Sequence, residues 1–303
     1  MVDANMGVPR DQVTIVIPVL NEEQAIGKVL DELLDLEFKK ENILVVDGHS
    51  TDNTVKEAMK RGVKVIKQHG NGKAGAIETA IEHVHTPYML VMDGDYTYDP
   101  KDIDSLLEHG DRYNEVIGRR PENKIGKLHR LGNWAINRVF NLLMGTGLRD
   151  VCSGMYLLKT ESARKALIET ASFDVEVELA AQMSLTGKVT EVPINYRKRI
   201  GEPKLRTWRH GLRIILTILN LAIKYNPLFF FGAIGGLVII PAVIILSWVA
   251  YEIIFRKVWH AGYALLGTML LMFSMQSLTI ASVAAMLRGF ERRLRRELRT
   301  AKN

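Results

Sequence analysis

The chain has 303 residues, 47% of them hydrophobic, and its 40 basic and 34 acidic side chains leave a formal net charge of +6. That length allows one large domain or one domain with an appendage. The single cysteine, Cys152, excludes an internal disulfide framework and reads as an inert core residue.

The first residues, "MVDANMGVPRDQ", are polar and carry no apolar core, so no cleaved signal peptide is expected. "VTIVIP" (13–18) is a short β-branched run ended by proline and reads as a buried strand. In "NEEQAIGKVLDELLDL", Asn21 is placed to cap a helix whose core face carries Ile26, Val29, Leu30, Leu33 and Leu34. "NILVVD" is the next strand, and "STDNTVKEAMKRG" is a capped helix closing at Gly62. "VKVIKQ" is a third strand, "GKAGAIETAIEHV" a helix after a glycine-rich turn, and "YMLVMD" a fourth strand. Strand and helix alternate, which predicts an α/β fold with a mainly parallel sheet covered on both faces. Ligands of such sheets bind beyond the carboxyl ends of the strands. The stretch from Pro18 to Glu22, Asp47, and the turn from Asp93 to Asp95 all fall at such ends and are expected to share one crevice.

Paired aspartates at a strand end are costly unless a cation or a hydrogen-bond donor balances them. Asp93 and Asp95 suit a hard divalent ion, Mg²⁺ or Mn²⁺, with positions left open for phosphate oxygens. The alternative is a solvated acidic turn in which Asp93 merely caps the next residues. Placement after a buried strand, level with the other strand ends, favours the ion.

Two later stretches, 228–251 and 261–287, contain no charged residue. Each exceeds the roughly 20 residues that cross a bilayer. Basic residues crowd both outer flanks, whereas the loop between the stretches has only Arg256 and Lys257. The positive-inside rule then puts the N-terminal domain and the C-terminal tail in the cytoplasm of a two-span cell-membrane protein. "TWRHGLRIILTILNLAIKY" (207–225) mixes basic residues with a wide apolar stripe and reads as a helix lying in the membrane interface, or else as one packed on the globular domain. The basic tail reads as a lipid-headgroup anchor rather than a nucleic-acid site. Spans without ionisable residues, and only two of them, exclude a transporter. The expected division is 1–200 globular, 201–226 interfacial, 227–288 spanning and 289–303 tail.

Several motifs agree in order with a known family. "IPVLNEE", "VVDGHSTDNT", "GNGKAGAI", "DGDYTYDP", "RDVCSG", "SFDVEVELAAQ" and "YRKRIGEPKL" together resemble the family 2 glycosyltransferases of the GT-A fold. More narrowly, the chain is similar to the polyprenyl- and dolichyl-phosphate sugar synthases, and to archaeal ones most of all. The resemblance implies that Pro18, Asn21 and Glu22 border a nucleotide-sugar pocket. Asp47 would contact base and ribose alone, because Gly48 stands where the family commonly has a second aspartate. Lys73 would approach the nucleotide, Asp95 would hold the metal with Asp93 assisting at the ion or the nucleotide's ribose, and Thr97 stands where mannose-type enzymes often have glutamine. Asp99 reads as a helix cap. Arg119 would touch phosphates near the donor and also help grip the lipid phosphate. Arg130, Asn133, Ser153, Arg199 and Lys204 would grip the lipid phosphate, with Asp150 orienting the acceptor or serving as a base. Glu176 and Glu178 match the family's acidic helix.

What the resemblance implies is a membrane-bound hexosyltransferase. It would move a sugar from UDP-glucose or UDP-N-acetylglucosamine to dolichyl or polyprenyl phosphate, for protein N-glycosylation, using Mg²⁺ or Mn²⁺. A GDP-mannose enzyme is the alternative. A catalytically idle membrane scaffold is a further one, at odds with the retained carboxylates and arginines. A processive polysaccharide synthase would carry a Gln-x-x-Arg-Trp motif and more spans, and the chain has neither.

Overall fold

A computed structural model of the chain describes residues 7–124, 126–166, 168, 175–201, 216, 219–220 and 222–300, and describes no side chains at 127–129, 288–289 and 291–300. Lys204 and most of the expected interfacial helix lie outside these residues. Two compact units form, Met1–Ile218 and Leu219–Asn303.

The first unit is built on seven strands: β1 (Val13–Val19), β2 (Ile43–Asp47), β3 (Lys64–Lys67), β4 (Tyr88–Met92), β5 (Glu115–Arg119), β6 (Met155–Lys159) and β7 (Val189–Pro193). Their order across the sheet is β3-β2-β1-β4-β6-β5-β7. Every pairing is parallel except those of β6, which runs antiparallel to both β4 and β5. The sheet is therefore Rossmann-like and mainly parallel, as expected from the alternating pattern. The four strands read in the sequence are β1 to β4.

Ile15, Ile17, Ile43, Val45 and Leu90 have no exposure at all. Each such side chain stabilises the fold by roughly 1.5–3 kcal/mol relative to leaving it in water. Helix α1 (Ile26–Asp35) buries Ile26, Val29, Leu30 and Leu33 against this core, and α2 (Thr54–Lys60) and α3 (Gly72–His83) follow β2 and β3. Asn21 does not cap α1. The helix starts only at Ile26, and Asn21 sits five residues earlier with φ of 50°. Asp99 caps the turn at Pro100 as expected, accepting from the Lys101 N–H, ahead of α4 (Ile103–Leu107). Helices α5 (Lys127–Met144), α6 (Thr160–Arg164) and α7 (Val175–Thr186) follow along the chain.

In the second unit α8 (Pro227–Tyr251) leads through a π-helical turn, Glu252–Arg256, into α9 (Ala261–Thr300). Asn226 caps α8 by accepting from Phe229 N–H at 3.2 Å, and Pro227 occupies its first turn. The stretches Pro227–Arg256 and Ala261–Leu287 have mean hydropathies of 2.7 and 1.7 and are long enough to cross a membrane. They pack as a hairpin. Ser274 Oγ donates to Gly235 O and Ser277 Oγ to Phe231 O, each at 2.7 Å. A β-carbon on Gly235 would sit 2.8 Å from Leu278, so only glycine permits the approach. Helix α9 does not stop where its apolar stretch ends but continues to Thr300.

Candidate active site

The rim at the carboxyl ends of β1, β2 and β4 is held in unusual backbone. Asn21, His49 and Tyr96 all adopt positive φ, at 50°, 67° and 68°. Such conformations cost about 1–3 kcal/mol each and persist where the surroundings enforce them. Here the enforcement is visible. Asn21 Oδ1 accepts from Thr51 N–H at 2.8 Å, and Asn21 N–H donates to Ser50 Oγ at 2.9 Å, tying the β1 end to the β2 end. Asp47 is buried and accepts from Ser50 N–H at 3.1 Å. Gly48 donates to Val19 O at 2.7 Å, and a β-carbon on it would sit 3.1 Å from that oxygen. Pro18 pairs with Val46 beside them.

Four carboxylates and two cations meet at the end of β4. Lys73, near the start of α3, is 2.5 Å from Asp93 Oδ1 and also pairs with Glu176 of α7. Arg199 is 2.6 Å from Asp95 Oδ2 and 2.5 Å from Glu22 Oε1. Thr97 donates through both N–H (3.1 Å) and hydroxyl (2.5 Å) to Asp95 Oδ1. Burial pulls the Lys73 ammonium down, but Asp93 and Glu176 outweigh it and hold its pKa well above the ordinary value. Burial pushes Asp93 and Glu176 up; Lys73 opposes this in both, and Asp95 adds to the rise at Asp93.

The site's charge and donor chemistry fit a hard divalent cation. Asp93, Asp95, Glu22 and Glu176 outnumber Lys73 and Arg199 by two, and the available donors are all oxygens. Among the described residues no group of three or more His, Cys, Asp or Glu converges with metal-binding geometry. An aspartate pair that leaves most positions to phosphate and water is how Mg²⁺ and Mn²⁺ are commonly held at phosphate sites.

The antiparallel insertion of β6 brings a second motif to this point. Its register pairs Met92 with Met155, which sets Gly154 opposite Asp93. A β-carbon on Gly154 would lie 2.1 Å from Asp93 Oδ2. Tyr98 Oη accepts from Gly154 N–H at 2.7 Å, and burial pushes the Tyr98 phenol strongly up, keeping it neutral. The turn before it is stapled to α5. Asn137 Nδ2 donates to Arg149 O at 2.5 Å and Asn137 Oδ1 accepts from Val151 N–H at 2.9 Å; one turn on, Asn141 holds Leu148 at both ends.

Asp150 is engaged by Arg120 rather than standing free. Arg120 donates to both carboxylate oxygens at 2.7 Å, and its backbone N–H adds a bond of 3.0 Å. Burial pulls Arg120 down, but Tyr98 and the Asp150 contact outweigh it and hold the guanidinium well above its ordinary value. Arg119, its neighbour on the strand, points elsewhere and pairs with Glu191 of β7 at 3.1 Å. Ser153 is buried, with its Oγ 3.4 Å from Met155 N. Cys152 lies partly exposed in this turn, not in the core, and its carbonyl accepts from Arg120 at 3.0 Å.

Beside Asp150 opens a cleft of about 810 Å³, lined by Arg119, Arg120, Arg130, Arg138, Arg149 and Trp134, with Asn133 on its wall. Arg130, Arg138 and Arg149 are exposed, and among the described residues none of the three has an ion-pair partner. Leu131 and Trp134, each 63% exposed, give the cleft an apolar lip. The structure thus gathers Pro18, Asn21, Glu22, Asp47, Lys73, Asp93, Asp95 and Arg199 at the rim. Arg119, Arg130, Asn133 and Asp150 line the cleft, and Ser153 lies between the two. Arg120, Glu191, Arg138, Arg149 and Trp134 were missed. The "GRR" pair at the end of β5 was the available signal for Arg120, since Arg119 closes the strand and its neighbour just past it is the one that turns to Asp150.

A mainly parallel Rossmann-like sheet with an Asp-x-Asp turn past its central strand is the GT-A architecture. Glucosyl-3-phosphoglycerate synthase from Mycobacterium tuberculosis, solved with Mn²⁺, UDP and glucosyl-3-phosphoglycerate, superposes with a TM-score of 0.58 at 20% identity, over 69% of this chain and 78% of that one. Residues 14–167 match the family model described as glycosyl transferase family 2, and the chain belongs to that family. It is 35% identical to the glycosyltransferase AglJ of Haloferax volcanii over 90% of this chain and 95% of that protein. It is 33% identical to a dolichyl-phosphate hexose transferase of the same organism, over 71% and 95%. A dodecaprenyl-phosphate galacturonate synthase of Rhizobium johnstonii is 24% identical over 91% and 87%.

Proposed function

We propose that this chain transfers a hexose from a nucleotide-diphosphate sugar to a polyprenyl or dolichyl phosphate at a membrane surface. One observation carries the reading. The Asp93/Asp95 turn is joined directly to an arginine-lined cleft through the segment from Asp150 to Gly154. A donor diphosphate at the first and an acceptor phosphate in the second would bring the reacting atoms together.

The residues suit that chemistry. Breaking the anomeric C–O bond leaves a diphosphate with growing negative charge. Asp95 and Asp93 would hold a Mg²⁺ or Mn²⁺ ion, which would supply Lewis-acid stabilisation of that charge. Lys73 and Arg199 already bond these carboxylates and would turn toward the diphosphate oxygens. Asp47 and Asn21 would border the base and ribose, beside Pro18 and Glu22. The acceptor phosphate is anionic at neutral pH and needs no strong base, so Asp150 acts by holding Arg120 at the junction. Arg130, Arg138 and Arg149, with Arg119 and Asn133, would offset repulsion between the two anionic substrates, and the gain is one of effective concentration. Lys204, in the basic segment past Arg199, would add to this.

The division into a globular domain (1–200), an interfacial segment (201–226), a spanning hairpin (227–288) and a basic tail (289–303) is part of this proposal, with the catalytic domain and tail cytoplasmic. The charge asymmetry around the spans supports that orientation. The motifs "VVDGHSTDNTVKEA" and "DGDYTYDP", with "NPLFFFG" at the first span, resemble archaeal dolichyl-phosphate sugar synthases. That resemblance is our reason for preferring a UDP-sugar, glucose or N-acetylglucosamine, and a role in N-glycosylation; GDP-mannose is the competing donor.

Purified protein incubated with Mg²⁺, dolichyl phosphate and separately radiolabelled nucleotide sugars should move label into the organic phase with one donor. Asp95→Asn should abolish this. Organic-phase label undiminished in that variant would overturn the site, and none with any donor would overturn the reaction.

A further inference from the structure

The spanning hairpin carries a polar group that its own fold does not satisfy. Between Thr268 and Ser282 of α9 every hydroxyl has an acceptor. Ser274 and Ser277 donate to α8, and Thr268, Thr279 and Ser282 donate to carbonyls four residues back in α9. Gln276 is exposed and has no hydrogen-bond partner among the described residues. It lies 15 residues after Ala261 and 11 before Leu287, roughly 22 Å and 16 Å along the helix at 1.5 Å per residue. Neither headgroup layer is within reach of a glutamine side chain, and hydrocarbon offers an amide no partner.

The residues around it obey a pattern. Met269, Phe273, Gln276, Ile280, Val283 and Leu287 are spaced four and three apart in alternation, and all are exposed. At 100° per residue they form a stripe centred roughly 115° around α9 from Ser274, Ser277 and Ala281, the face packed on α8. A four-three spacing is the seam of a left-handed helix pair crossing near 20°. One polar residue in such a seam sets its register.

We propose that this seam binds the same seam of a second copy of the chain, with Gln276 hydrogen-bonded to Gln276 across a two-fold axis. A second copy is the fitting partner for a chemical reason. The primary amide is both donor and acceptor, so two of them in register satisfy each other reciprocally. Copies inserted with the same topology present their α9 helices in parallel, and parallel is the arrangement that sets like positions opposite. The proposal rests on the hairpin spanning the bilayer.

The test uses the full chain, fluorescently tagged at its N-terminus and reconstituted in phosphatidylcholine vesicles over a range of protein-to-lipid ratios, with oligomers counted by single-molecule photobleaching. The wild type should form dimers. Gln276→Leu should raise the dimer dissociation constant about tenfold, or about 1.4 kcal/mol, within what membrane hydrogen bonds supply. Met275→Leu, off the seam, should leave the constant unchanged. A wild type monomeric at every density, or a Gln276→Leu variant dimerising as tightly, overturns the seam. Alkaline carbonate extraction separates the two ideas. A chain washed from the vesicles refutes spanning and the seam with it, whereas one retained but monomeric refutes the seam alone.

Discussion

Gly154→Ala is the smallest change that tests the geometry of the site. The added methyl carbon would lie 2.1 Å from Asp93 Oδ2, where ordinary contact begins at about 3.4 Å. Either the carboxylate or the backbone must therefore retreat by about 1.3 Å. The backbone is constrained, because Gly154 N–H donates to Tyr98 and the next residue pairs with Met92 in the sheet. The movement falls mainly on Asp93, and with it on Lys73 and the ion position. Displacements of about 1 Å in a positioned group cost about 100-fold in rate. The assay is twofold: Mn²⁺ affinity in the presence of UDP, monitored by the ion's EPR signal, and transfer to dolichyl phosphate. The expected result is weakened Mn²⁺ binding and about 100-fold slower transfer, with the thermal transition lowered by only a few degrees. Wild-type Mn²⁺ affinity and transfer in a folded Gly154→Ala protein would refute the placement of Gly154 against Asp93.

The same geometry sets three other outcomes. Arg120→Gln strands the buried Asp150 carboxylate and should cost about 3 kcal/mol or more of stability, read by chemical denaturation, and adding Asp150→Asn should recover much of the loss. Arg130→Ala combined with Arg138→Ala should raise KM for the lipid phosphate at least tenfold while calorimetric UDP-sugar affinity stays put; an equal loss of both would contradict two separate subsites. Glu115, buried on β5 with Oε2 unbonded among the described residues, has its pKa raised well above the ordinary value by burial and then by Glu176. Folded protein keeps this proton above the pH near 4.3 where the unfolded chain releases it, so stability from this group is full below that pH and falls as pH rises toward the folded value. Glu115→Gln should flatten that decline and raise the thermal transition at pH 7.5; an unchanged pH dependence would refute the assignment.

Local pattern alone determined a good part of this protein. β1 and β2 are short β-branched runs and β4 is a short apolar one, and a parallel sheet buries such runs on both faces. Their order predicted where Asp47, Asp93 and Asp95 would gather. The two uncharged stretches of α8 and α9 announced themselves by length, since each exceeds the roughly 20 apolar residues that cross a bilayer. Asn21 was legible as a rim residue but not in its role, because whether an asparagine caps a helix or bridges two strand ends depends on a partner 30 residues away, Thr51.

The tertiary structure decided the rest. β6 looks in sequence like any apolar strand, and only its antiparallel insertion between β4 and β5 sets Gly154 against Asp93. Of two adjacent arginines, Arg119 at the last position of β5 pairs with Glu191, and Arg120, one residue past the strand, pairs with Asp150. Glu176 reaches Lys73 from a helix far along the chain. Periodicity encodes which face of an element is apolar, a property of neighbouring residues. Which charged side chain meets which is a property of strand order and register, and those are settled only when the whole sheet closes.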